Sequence, residues 1–253
     1  MNKVVSIGSI AQALDPLRYL PTDLNRIVSD YLDTEKWANE TLGERLLGPD
    51  FLTQVWGEAI SGIPCFPDLN EVDIDLIEQG ARDANVVLVC VPTMILEQRL
   101  TIKSLKNRLR VPPSYDRANA DFYAANWYDE LPFSSEPIQS GWYLIRTDVP
   151  DDTRNKPYSD LAFEPYKEAG WALLRVGPAV FGMELYTYRM NQANRSNQWS
   201  SQMALCNEQV YSSRRVSVVF LVGLGVDIHS YSTRGYHKDM GFGLSRFILG
   251  ADD

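Results

Sequence analysis

The chain has 253 residues, 45% hydrophobic and 23% charged, which is ample to bury a core and ordinary for a globular protein. Its net charge of -9 argues against general binding to nucleic acid or to an anionic membrane. The three cysteines, Cys65, Cys90 and Cys206, are widely spaced and give neither a disulfide framework nor a CxxC metal pair, so a reduced compartment is the default.

No stretch approaches the roughly 18 apolar residues of a membrane span. The run Val4–Ala13 behind Lys3 is broken by Ser6, Gly8, Ser9 and Gln12 and ended by Asp15-Pro16, which argues against a cleaved secretion signal. The expectation is a protein of the cytoplasm, or of a virion or particle, with no membrane insertion and no nucleic-acid partner.

The first half reads as mostly helical. Thr22 suits an N-cap for Asp23–Leu32, whose Leu24, Ile27, Val28, Tyr31 and Leu32 follow helical spacing. Thr34 suits a cap for a helix over Glu35–Leu47, stopped by Gly48-Pro49. A third helix is expected over Asp50–Ser61, with Phe51, Leu52, Val55, Trp56, Ala59 and Ile60 on one face. Val72, Ile74 and Leu76 alternate with acids as in a half-exposed strand, with a helix the alternative. Val86–Val91 is short and β-branched, the pattern of a buried strand. Thr101–Leu109 reads as a helix with Ile102, Leu105 and Leu109 inward. Arg99, Lys103, Lys106, Arg108 and Arg110 form a local basic face, read as solvated. Val111-Pro112-Pro113-Ser114 cannot continue a helix, so the expected boundary falls at 110–120 and divides the chain into 1–115 and 116–253.

In the second half, Trp142–Arg146 reads as a strand. Pro165 suits the first helical position before Tyr166, Ala169, Gly170, Leu173 and Leu174. Gly177-Pro178 reads as a stop and a new helix start, with Val180, Phe181 and Leu185 inward. Trp142, Trp171 and Trp199 are core candidates.

The run from Asn194 to Phe247 is the most informative. In Arg215–Phe220, Val216 and Val218 point one way and Arg215 and Ser217 the other; Leu224, Val226 and Ile228 repeat this opposite Gly225, Asp227 and His229. The loop Ser230–Asp239 holds two tyrosines and no aliphatic residue, which is the chemistry of adaptable binding loops. By pattern alone, an ordinary amphipathic hairpin is an equal reading.

Catalytic readings rank lower. His229 and His237 lie near Asp227 and Asp239, but their spacing matches no metal-ligand motif. Ser200 and Ser201 lack a G-x-S-x-G elbow, and Cys206 has no histidine close in sequence. Asp129 and Glu130 read as solvated acids, and Gly223-Leu224-Gly225 lacks the context of a nucleotide loop. No cofactor and no metal are expected.

Trp142–Arg146, Tyr188-Arg189, Arg195-Ser196, Arg215–Val218, Gly223–Val226 and Gly241–Arg246 together resemble the variable proteins diversified by retroelements, with a C-type-lectin fold of the formylglycine-generating-enzyme-like subtype. The likeness covers roughly residues 120–250. Trp37–Leu42, Glu71–Asp73 and Val87–Val89 are fainter matches to the helical companion region of some such proteins. The resemblance implies an α+β chain: a mainly helical N-terminal domain with a short β element, then a lectin-like domain with a variable C-terminal region.

It also implies that error-prone reverse transcription at template adenines rewrites codons on one exposed face while the frame stays fixed. The expected ligand-binding residues are Tyr211, Ser212, Ser213, Arg215, Ser217, Phe220, Asp227, His229, Tyr231, Tyr236 and His237. Val216, Val218, Leu224, Val226 and Leu244 would hold the frame, and the partner would be a protein or surface ligand of a bacterial or phage system. Two family features are absent. Glu136-Pro137-Ile138 lacks the Asn of a calcium-lectin motif, and only Cys206 stands where the related enzymes need a cysteine pair. A binding protein is therefore expected rather than an enzyme; the alternatives are an enzyme of the same fold or a structural component such as a phage tail tip.

Overall fold

The computed structural model describes residues 33–107, 127–192, 202–221, 225–235 and 237–248. The expected helix Asp23–Leu32, the Pro-Pro linker, Leu224, Tyr236 and the Trp199–Ser201 stretch lie outside them. The chain is α+β.

Residues 33–42 form helix α1, shorter than expected: a 3₁₀ turn Gly43–Arg45 follows, then strand β1 (Leu46–Leu47). Helix α2 (Pro49–Trp56) starts on proline and ends where Gly57 takes φ 62°; a 3₁₀ turn then leads into strand β2 (Ile60–Ser61), so Ile60 is not helical. The strand reading of Val72, Ile74 and Leu76 is corrected to helix α3 (Glu71–Arg82). The deciding signal is a capping box: Asn70 Oδ1 accepts from Asp73 N (3.0 Å) and Asp73 Oδ2 accepts from Asn70 N (3.1 Å). At the far end Arg45 donates to the carbonyls of Gly80 and Ala81. Gly80 permits α3 to touch the next strand, because a Cβ there would lie 2.3 Å from a Val86 methyl.

That strand, β3 (Val86–Val91), is buried along its whole length, as its apolar β-branched run predicts. Strands β4 (Met94–Ile95) and β5 (Gln98–Arg99) form a small sheet with β2, and α4 (Ile102–Asn107) follows. Its Lys106 is buried and bonded to both oxygens of Asp129 at 2.9 and 3.0 Å, so neither residue is the solvated charge expected, whereas Arg99 and Lys103 are exposed.

The short helix α5 (Pro132–Ser135) precedes β6 (Gly141–Arg146). Helix α6 (Glu164–Glu168) stops earlier than expected, since Gly170 turns the chain at φ 87° and Leu173 enters strand β7 (Ala172–Leu173). The long helix α7 (Val176–Gln192) already includes Gly177-Pro178 in its first turn; Val180, Phe181 and Leu185 are fully buried. Strands β8 (Met203–Tyr211), β9 (Arg214–Leu221), β10 (Gly225–Ser232), β11 (Met240–Phe242) and β12 (Leu244–Ile248) are the remaining described elements.

Two larger sheets enclose α7. One runs β1-β3-β6-β12-β7, the other β10-β9-β8-β11. In the first, β6 pairs antiparallel with β3 on one edge (Leu88 opposite Leu144) and with β12 on the other (Arg246 opposite Leu144). This sheet and a single apolar cluster cross the expected division at residue 115, with Leu52, Val89, Trp142, Phe181 and Val218 in the same core. Trp142 and Trp171 are buried as expected.

A second tie across the division is ionic. Asp73, in the capping box, receives a hydrogen bond from Arg246 Nε on β12, while Arg246 Nη1 donates to Gly170 O at 2.9 Å. Asp73→Ala removes a helix cap and strands a largely buried guanidinium, and should cost about 3 kcal/mol in urea unfolding. Glu78→Ala, which breaks the exposed pair with Arg82, should cost less than about 0.5 kcal/mol.

Glu208 on β8 accepts from Val176 N at the start of α7 (3.2 and 3.1 Å) and lies 3.7 Å from Arg175. Burial pushes its carboxyl above the usual range, against the lowering effects of backbone N–H groups and Arg175. The folded state therefore holds this proton more tightly than the unfolded chain, and the stabilisation is lost as pH rises through the raised value. The melting midpoint of Glu208→Gln should gain on wild type as pH increases from about 4 to 7, a trend that thermal melts across that range will show.

Candidate ligand-binding face

Strands β9 and β10 form an antiparallel hairpin with Val218 opposite Ile228 and Ser217 opposite His229. Strand alternation sends Val216, Val218, Val226 and Ile228 into the core against α7, each at most 1% exposed. The odd-numbered side chains Arg215, Ser217, Asp227, His229 and Tyr231 share the other face.

The β8–β11 side of that face is covered by the segment from Pro150 to Tyr166. Thr153 Oγ1 accepts from Phe242 N (3.1 Å), and the rings of Tyr158, Phe163 and Tyr166 stand edge-on to Phe242 at 5.9, 5.4 and 6.2 Å. Gly241 makes this approach possible, since a Cβ there would sit 2.3 Å from Thr153 Oγ1. Tyr158 N also donates to Thr233 O (3.0 Å), which ties the segment to the end of β10.

The middle of the face is polar and buried. Asp227 is 3% exposed, and its Oδ2 lies 2.5 Å from His229 Nε2. Ser217, fully buried, has no hydrogen-bond partner for its Oγ among the described residues. Arg215 Nη1 donates to the carbonyls of Cys206 (3.4 Å) and Asn207 (2.8 Å), and its guanidinium packs 4.0 Å from the Tyr158 ring centre. Its Nε is buried with no acceptor among the described residues. An unsatisfied buried donor costs roughly 1–3 kcal/mol, so this corner is held at an energetic disadvantage by the packing around it.

The rim is aromatic. Tyr231 stands between His229 and His237, with centroids 5.9 Å away in both cases. Burial, then the nearby Asp227 charge, raises the Tyr231 phenol pKa. His237 Nδ1 accepts from Asp239 N (3.3 Å). At the turn between β8 and β9 Ser212 and Ser213 are exposed, and Tyr211 just before it is 67% exposed. Arg214 braces this turn by donating to Ser230 Oγ and O, and Thr233 N donates to Ser213 O.

The expected site residues therefore divide. Tyr211, Ser212 and Ser213 are exposed, and Arg215, His229, Tyr231 and His237 are half-buried. Ser217 and Asp227, expected as exposed contacts, are corrected to buried positions: they lie on the expected face, but that face is largely covered. The side chain of Phe220, and Tyr236 altogether, lie outside the description. Ser230, Tyr231 and Ser232 belong to β10 rather than to a ten-residue loop.

Sequence reading missed Thr153, Tyr158, Phe163 and Tyr166 as parts of this face, and Trp127, whose Nε1 donates to Ile228 O at the edge of β10 (3.2 Å). The only available signal was the density of aromatic residues between Tyr158 and Tyr166, and it does not name a target.

Cys206 is fully buried and burial lifts its thiol well above the usual range, so it packs as an apolar residue rather than as an activated nucleophile. Among the described residues no three of His, Cys, Asp and Glu gather in a metal-holding arrangement, and no helix is long and apolar enough to cross a membrane. Compared with protein-family models, curated proteins and solved structures, the chain matches none.

Removing the Ser217 hydroxyl removes an unpaired polar atom. Ser217→Ala should leave stability unchanged or raise it by up to about 1 kcal/mol. Asp227→Ala, which removes a buried carboxylate bonded to the partly exposed His229, should lower it by about 2 kcal/mol. Urea denaturation of the two variants gives both values.

Proposed function

We propose that this chain is a recognition protein with a C-type-lectin-like C-terminal portion, which holds a protein or surface ligand at the rim formed by Tyr211, Ser212, Ser213, His229, Tyr231 and His237. One observation carries the reading. On these two strands Val216, Val218, Val226 and Ile228 lock into the core against α7, while Arg215, Ser217, Asp227, His229 and Tyr231 lie on the odd face and Tyr211, Ser212 and Ser213 stand at the neighbouring β8–β9 turn. Contacts on such a surface can change without disturbing the frame beneath them. Tyrosine supplies large contact area at small entropic cost, and the exposed Tyr211 and half-buried Tyr231 are the natural anchors.

The resemblance supplies the source of change: a retroelement that rewrites the codons of this rim through errors at template adenines. Sequencing the gene's surroundings and the same locus in close strains tests it. The expected result is a reverse-transcriptase gene, a near-repeat of the 3′ end, and mismatches confined to template adenines at rim codons. No repeat, together with invariant rim codons across strains, would overturn the diversification.

A further inference from the structure

Arg215 Nε and Ser217 Oγ, two buried donors without acceptors among the described residues, come from positions two apart on β9 and therefore from the same odd face. Among the described residues Arg215 has no carboxylate against it; its bonds go to the neutral carbonyls of Cys206 and Asn207, and its outer side to the Tyr158 ring. Asp227 shares this face but sits opposite Val219, two rows along the hairpin from Arg215, and is turned to His229. A guanidinium is charged at every working pH, and a half-buried one facing only neutral groups lacks a counter-charge. A water molecule would satisfy the two donors but leave that charge uncompensated. An anionic oxygen would do both. Tyr158 and Arg215 are each half-buried, while Arg215 Nε and Ser217 Oγ themselves are closed to solvent, so a ligand group reaches them only when the Tyr158 ring swings off the guanidinium.

We propose that this corner is a subsite for one anionic oxygen group of the ligand, a carboxylate or a phosphate, received by Arg215 Nε and Ser217 Oγ beside the Tyr158 ring. The proposal rests on the reading that this face holds a ligand, and it names the chemical class that a fixed part of the face selects. Tyr158 belongs to the covering segment and not to the hairpin, so the subsite joins an element outside the rim to the ligand. Charge-assisted bonds from a guanidinium are short and directional, and they fix the orientation of whatever the rim then grips.

The test uses the full chain with sodium acetate and inorganic phosphate, each titrated against sodium chloride at constant ionic strength. Arginine Nε–H resonances are followed by proton–nitrogen NMR, and the melting midpoint is recorded in parallel. One Nε–H resonance should move saturably with acetate, phosphate or both, and the midpoint should rise with them; the anion that saturates at lower concentration decides between the two groups. Ser217→Ala should weaken this uptake about tenfold, the value of one charge-assisted hydrogen bond. Arg215→Met should abolish it, and Lys103→Met, which removes a positive charge from exposed surface elsewhere, should leave it intact.

Equal uptake by wild type and Ser217→Ala, or no saturable shift in wild type, overturns the proposal and leaves the corner to water. Because Ser217→Ala keeps the core packing, it decides the matter even where Arg215→Met does not fold. Failure here leaves rim diversification standing, whereas anion uptake with invariant rim codons would remove the diversification and keep the subsite.

Discussion

Strand β6 is hydrogen-bonded along both edges, to β3 from the first half of the chain and to β12 from its end. A strand in that position is buried on both faces, and Trp142, Leu144 and Ile145 are accordingly fully buried. With β3 and β12 fixed to it, the sheet supports one side of α7, and α7 in turn supports the even face of the β8–β10 sheet. The candidate rim stands at the end of this chain of contacts. Its rigidity is borrowed from β6 and the strands paired to it, because the hairpin by itself would be only marginally stable in water.

The same dependence explains why the halves of the chain do not act as separate cores. Asp73 caps α3 and bonds Arg246 of β12, so the start of one helix and the final strand are held by a shared carboxylate. Removing that carboxylate disturbs both together. The Pro-Pro segment that reads as a linker is local chemistry, and it says nothing about which strands later pair across it.

What could be read from sequence was whatever depends on near neighbours. The β-branched run Val86–Val91, the strand around Trp142 and the alternation of Val216 and Val218 against Ser217 all emerged because period and side-chain shape decide them. Helix α3 was misread because Val72, Ile74 and Leu76 alternate like a strand, while the Asn70–Asp73 capping box, a four-residue signal, settles the matter. The candidate face was half legible. Alternation placed Ser217 and Asp227 on the correct side, but their burial reflects packing by distant parts of the chain, as when the Tyr158 ring meets Arg215. No pattern within β9 or β10 encodes that encounter.

The central claim is that one side of the β9–β10 hairpin is frame and the rim is exchangeable contact. A saturation-substitution scan over residues 211–218 and 226–237, scored by protease resistance of the displayed chain, measures this directly. The account predicts intolerance at Val216, Val218, Val226 and Ile228 and broad tolerance at Tyr211, Ser212, Ser213 and His237. Rim positions as intolerant as the valines would contradict it, since a surface that cannot change cannot be a display.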